Sequence, residues 1–233
     1  FPDQPQAWLL QASACRKMDK NLEALELYQL VDHLGGATAN NSRILGEIYM
    51  KENLYSQAVN SYLKALKKAP GRNLRSVLET AESLIISEAP DQARRLINAL
   101  QKQKSSELTR ADMNKLSELR SRLAASQGAA DKNDISILTE ITQRNPMDGN
   151  ALILLAGCYE RSGRPQKASF YYRRAAGIEK YEARAGLNLA RLLVDQNRYQ
   201  EALPLLRRVN TIKPDEGIRK YLEQVEHLTK RHK

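Results

Sequence analysis

Cysteine and histidine are scarce in these 233 residues, with two of the first and three of the second, and the scarcity removes several chemistries at once. Cys15 and Cys158 cannot supply a disulfide framework, and a structural zinc site needs about four ligands at close spacing. Each reads as a small core filler. His33, His227 and His232 stand alone, outside any pattern of two histidines around a glutamate or of a nucleophile beside its base. No phosphate loop is present either: Gly35-Gly36 lacks a following Lys-Ser/Thr and reads as a helix stop. The sequence therefore points to no metal, no cofactor and no enzyme. Long apolar runs are also missing. Stretches 151–158 and 187–194 are short, ended or broken by polar residues, and fall short of the roughly 18 needed to cross a bilayer, so no membrane insertion is expected. The first residues have neither the basic start nor the apolar core of a signal peptide, and cytoplasm and periplasm both stay open.

What is present is apolar material, 42% of the chain with only 11 glycines, enough for a folded core. Charge is uneven. Residues 1–107 carry 14 Lys/Arg against 12 Asp/Glu, and residues 108–233 carry 23 against 15, so the net charge of +10 divides as +2 and +8. A basic second half attracts acidic protein, nucleic acid or anionic glycan without identifying which.

A period emerges when small residues and aromatics are compared along the chain. Ala24 to Ala58, Tyr28 to Tyr62 and Ala168 to Ala202 are each 34 residues apart; Pro2 to Pro70 and Pro146 to Pro214 are each 68. The gap from Pro70 to Pro146 is 76, which places one extra residue near Asn73 and seven at about 108–114. Each period reads as two amphipathic helices around a polar turn. In the second, Ile44, Leu45, Ile48 and Tyr49 line one helix, Lys51-Glu52-Asn53 turns the chain, and Ala58, Tyr62, Ala65 and Leu66 line the next. Ser162-Gly163-Arg164-Pro165 makes the same turn explicit, with Gly for a left-handed helix end and Pro for the following first turn.

Leu45-Gly46, Tyr49, Ala58, Tyr62, Ala65 and Pro70 together resemble the tetratricopeptide repeat, as do Leu155-Ala156, Tyr159, Gly163, Ala168, Tyr172 and Ala175. Trp8 with Ala12, Ala24 and Tyr28 marks a first unit; Leu189-Ala190, Tyr199, Ala202, Leu206 and Pro214 mark a sixth. The third and fourth units are degenerate, and in the fourth Asp134 falls where a small residue belongs. The resemblance implies an all-α fold, a right-handed superhelical solenoid of antiparallel helix pairs. It divides the chain into units 1 to 3 over 5–107, an insertion at 108–114 that lengthens the next helix to about 109–127, units 4 to 6 over 115–216, and a capping helix with a basic tail over 217–233. The small residues allow helices to approach closely, and because no unit buries its own face, stacking supplies the core. The register step at Pro2 predicts further repeats or another domain before Phe1.

The resemblance further implies a protein-interaction scaffold, part of a larger protein or assembly, whose first helices line a concave groove that holds a peptide or helix of the partner. Carried over by register, the groove candidates are Arg16, Arg43, Asn150, Arg161, Arg184, Asn188 and Arg191. Arg161, Arg184 and Arg191 form a basic patch that suits an acidic partner. The Lys and Asn clamp of chaperone-binding members is absent, its places being held by residues such as Leu9, Ser13, Arg75 and Glu82. The alternative reading is a polyanion, nucleic acid or anionic polysaccharide, on the basic second half. Against nucleic acid, the groove positions carry no interleaved aromatics for stacking.

Overall fold

The computed structural model describes residues 4–72, 74–103 and 107–231. The register mark at Pro2, the extra residue placed near Asn73, and His232 lie outside them. Among the described residues the chain is wholly helical, with thirteen α-helices. The first three pairs are α1 (Pro5–Lys17) with α2 (Asn21–His33), α3 (Ala39–Lys51) with α4 (Tyr55–Lys68), and α5 (Leu74–Ile86) with α6 (Pro90–Gln101). Next come α7 (Arg110–Ser126) and α8 (Lys132–Arg144), then α9 (Gly149–Arg161) with α10 (Pro165–Ala176) and α11 (Glu182–Asp195) with α12 (Tyr199–Ile212). A last helix, α13 (Glu216–Arg231), follows. Two compact units divide the chain at Leu123/Ala124. The division falls inside α7, the longest of the helices at 17 residues, and beyond the 108–114 segment.

In the first unit α2 packs on α3 and α4 on α6; in the second α8 packs on α9, α10 on α11, and α13 on α12. Val225 of α13 is fully buried, with Tyr221 and Leu222 against the same core. The polar residues Glu223 and Gln224 face water, which is what a terminal helix needs if it is to close an apolar stack.

All six turns within pairs stop the first helix in one way. A residue with positive φ ends it: Asp19, Asn53, Glu88 and Asn197 at 58°, Gly163 at 69° and Gly128 at 75°. The next N–H reaches back five residues, from Lys20 to the Cys15 carbonyl, Leu54 to Tyr49, Ala89 to Leu84, Ala129 to Ala124, Arg164 to Tyr159 and Arg198 to Leu193, at 2.8 to 3.0 Å. These bonds satisfy carbonyls that the helix end would otherwise leave bare. Asn and Asp tolerate the left-handed region, whereas Glu88 takes it against its preference. The fourth turn then runs two residues longer before α8. There Asp131 and Asp134 form a capping box, Asp134 N–H donating to Asp131 Oδ1 at 2.8 Å and Asp131 N–H to Asp134 Oδ2 at 3.1 Å. Asp134 thus caps α8 from its own first turn, a local task that accounts for a carboxylate at a place where the repeat pattern asks for a small residue.

Packing explains the remaining small residues. Ala12, Ala24, Ala58, Ala81, Ala93, Ala156, Ala168, Ala190 and Ala202 are all 0% exposed. At Gly46 the fit is tightest of the signature positions: a methyl there would meet the Tyr62 ring at 2.8 Å, and Tyr62 is itself 2% exposed. Cys15 and Cys158 are buried free thiols within these cores, and burial pushes the Cys158 thiol above its ordinary value.

Two glycines separate close approach from backbone freedom. Gly46→Val drives branched carbons into Tyr62 and is expected to lower unfolding stability by about 2 kcal/mol or more. Gly163→Ala, with nothing within 4 Å of the added carbon, is expected to lose only about 1 kcal/mol through the left-handed backbone. Urea unfolding followed by far-ultraviolet circular dichroism measures both. Equal losses at the two sites would show that ring contact does not set the helix spacing.

Candidate functional site

The groove candidates of the first unit are already engaged with one another. Glu47 of α3 receives Arg43 from one turn before it and Arg16 Nη1 from α1 at 3.5 Å; Arg43 Nη2 also donates to Asn40 Oδ1 at 3.0 Å. All three charges act on the Tyr28 phenol. Burial raises that phenol, Arg16 and Arg43 pull it down, and Glu47 pushes it up. Farther along, Glu82 of α5 holds Lys115 at 2.8 Å and Arg122 at 3.8 Å. Like charges alternate with opposite ones along this face, so little net positive potential is left to attract a distant anion.

In the second unit the candidates separate. Asn150, expected on the groove wall, is 1% exposed and belongs to the packed shell of α9. Its neighbour Gly149 lies directly beneath the Tyr181 ring, carried by a short 3-10 turn (Glu179–Tyr181), and that ring roofs the first turn of α9. Arg161, though exposed, is tied to the protein surface: its Nη2 donates to the Ala125 carbonyl at 2.9 Å and lies 3.6 Å from Cys158 Sγ. It ties the end of α9 to the end of α7 and is placed as a structural clip. Glu160 beside it accepts the Tyr172 hydroxyl at 2.8 Å; burial first, and that carboxylate next, push the phenol far up.

Arg184, Asn188 and Arg191 remain together. Their spacing of four and three puts them on one stripe of α11. Arg184 and Asn188 are half-buried and Arg191 is exposed. Arg191 and Asp195 both act on the Tyr221 phenol of α13, the arginine lowering and the aspartate raising it, while burial sets the net upward shift. The arginines of α12 are occupied: Arg208 makes two bonds to Glu182 at 2.7 and 3.2 Å, and Arg207 one to Glu226 at 2.8 Å. Among the described residues no group of three His, Cys, Asp or Glu is placed to hold a metal ion. Among the described residues no helix is long and apolar enough to cross a membrane.

One concavity was not legible in the sequence. A cleft of about 640 Å³ opens between α2 and α4, floored by Leu45 and Tyr49 of α3. Gln29 Nε2 donates to Tyr49 Oη at 2.6 Å inside it, and Lys64 bridges its mouth to Asp32 at 2.7 Å. The residues that form it are ordinary helix-surface types. Only the separation of α2 from α4, against the closer packing of α4 on α6, creates the space.

Family models of the tetratricopeptide repeat match residues 161–222 and 43–75. No curated protein matches the chain. Among solved structures, a tetratricopeptide repeat protein from Parabacteroides merdae is 13% identical with a TM-score of 0.63, over 95% of this chain and 84% of that one. PilW, a widely conserved type IV pilus biogenesis factor, is 14% identical with a TM-score of 0.63, over 94% and 98%. The pilF protein of Pseudomonas aeruginosa is 13% identical with a TM-score of 0.59, over 94% and 96%. At these identities the likeness is one of fold.

The geometry at Arg161 gives a specific expectation. Arg161→Ala leaves the Ala125 carbonyl without its side-chain donor and is expected to lower stability by about 1 kcal/mol, read from the urea midpoint. Arg191→Ala, at an exposed side chain, is expected to leave that midpoint in place. The reverse ranking would return Arg161 to the binding candidates.

Proposed function

We propose that the chain, a tetratricopeptide-repeat protein and so a scaffold for protein–protein interaction, grips an acidic segment of its partner on the face of α11 that carries Arg184, Asn188 and Arg191. The observation that carries this reading is the contrast between two sets of arginines. Arg16 and Arg43 are neutralised by Glu47, whereas Arg191 is exposed and makes no hydrogen bond or ion pair among the described residues. Arg184 stands on the same stripe with the amide of Asn188 between them, so cations at both ends flank a group that can donate and accept. A carboxylate arriving there gains charge-assisted hydrogen bonds, and the wider excess of positive charge after residue 107 steers its approach. Packing of α11 on α10 and α12 holds this face in place before the partner arrives, which reduces the ordering cost of binding.

Fluorescence anisotropy with a labelled peptide rich in Asp and Glu and free of apolar residues tests the proposal. The Arg184→Glu/Arg191→Glu double variant is expected to weaken binding by about tenfold or more with an unchanged helical circular dichroism signal. Unchanged affinity removes α11 from the binding face. A single-stranded oligonucleotide that binds more tightly than the peptide, with a steep loss between low and physiological salt, would favour the polyanion reading instead.

A further inference from the structure

Helix α10 carries a feature that the repeat does not require. Two residues after the buried Ala24, Ala58, Ala93 and Ala202 of the second helices, the chain places Glu26, Asn60, Arg95 and Pro204, all exposed. In α10 that position is Phe170, 56% exposed. An aromatic ring turned to water at a site where the other pairs use polar residues or proline contributes little to the fold, so its packing does not explain it.

Its surroundings are organised. Lys167, Phe170, Tyr171 and Arg174 fall at spacings of three, one and three, one stripe of the helix. Phe170 meets Tyr171 edge-on with ring centres 5.2 Å apart, and Tyr171 stacks on Tyr159 of α9 at 5.5 Å and 9°. Arg174 lies over both Phe170 and Tyr171, at 5.7 and 5.9 Å, and Lys167 over Tyr159 at 5.2 Å. In the same register as Arg174, α4 has Lys64 and α12 has Arg208, and each of those cations holds a carboxylate, Asp32 or Glu182, at 2.7 Å. Arg174 and Lys167 make no ion pair among the described residues; aromatic faces hold them instead. Rings fix the two cations without neutralising them, since a cation over a ring keeps its full charge.

We propose that this stripe of α10 is a second docking surface, and that its occupant is an acidic amphipathic helix of a protein partner. Charge complementarity selects that occupant. Lys167 and Arg174 are seven residues apart, about 10 Å along the helix axis, the separation of two carboxylates at i and i+7 on a facing helix. Apolar residues at i+3 and i+4 of the same facing helix come to rest on Phe170, the exposed anchor between the charges. The surface is separate from the α11 stripe, and neither reading depends on the other.

The test uses the full chain and a fluorescein-labelled helical peptide with Glu at i and i+7 and Leu at i+3 and i+4, with a counterpart in which Lys replaces each Glu. The acidic peptide is expected to bind and the basic one not. Phe170→Ala is expected to weaken binding by about tenfold and to leave helicity unchanged, the ring being exposed. Arg174→Glu is expected to abolish binding of the acidic peptide and to confer binding of the basic one, a swap that mere loss of structure cannot produce. Equal affinity for the two peptides, or for wild type and Phe170→Ala, overturns the proposal. A thymidine oligonucleotide bound more tightly than the acidic peptide and dependent on Phe170 overturns it as well, in favour of base stacking.

Discussion

Everything in this molecule rests on how closely one helix can lie against the next. The alanines that recur through the second helices are fully buried, and at Gly46 under Tyr62 there is no room for another carbon. A helix pair of this size has one apolar face and no interior of its own. It becomes stable by laying that face on a neighbour, so each small residue serves two pairs at once. The aromatic beside it fills the space that a small side chain leaves, as Tyr62 does beside Gly46. Core and binding surface are therefore set together: once the apolar face is committed to a neighbour, only the opposite face of each helix can meet a partner.

The turns give that stacking its regularity. A left-handed residue followed by a bond back across five residues ends the first helix of every pair. The fourth pair departs from this only after the stop, where the capping box of Asp131 and Asp134 starts α8 two residues late. Irregularity in that region thus has a local chemical cause in addition to the longer α7.

Charge is distributed by the same economy of position. In the first unit, arginines on the inner helices are matched by glutamates from the same or the adjoining pair. In the second unit, the outward arginines of α12 are matched by Glu182 and Glu226, while the cations of α10 lie on aromatic rings and Arg191 is left to solvent. Net charge along the chain counts all of these alike. Only those without a carboxylate neighbour carry a field that a partner can feel at close range.

Much of this was legible in the residues. The spacing of Ala24 and Ala58, of Tyr28 and Tyr62, and the chemistry of Ser162-Gly163-Arg164-Pro165 specify helix pairs at a fixed period, because small side chains, aromatics and a left-handed glycine act within a few residues of themselves. The family, the helical class and the burial of the two cysteines follow from that local chemistry. The fate of the groove candidates did not. Arg161 and Arg191 are the same residue type on first helices, yet one is bound to the Ala125 carbonyl and the other makes no hydrogen bond or ion pair among the described residues. Asn150 looks like a wall residue until Tyr181, 31 positions later, is seen to close over its neighbour. The cleft between α2 and α4 and the ring cluster on α10 likewise depend on distances between helices. Periodic sequence determines that helices will pair, since each element of the pattern is local. Which charges remain unmatched is decided by contacts between residues far apart in the chain, and only the tertiary structure brings those together.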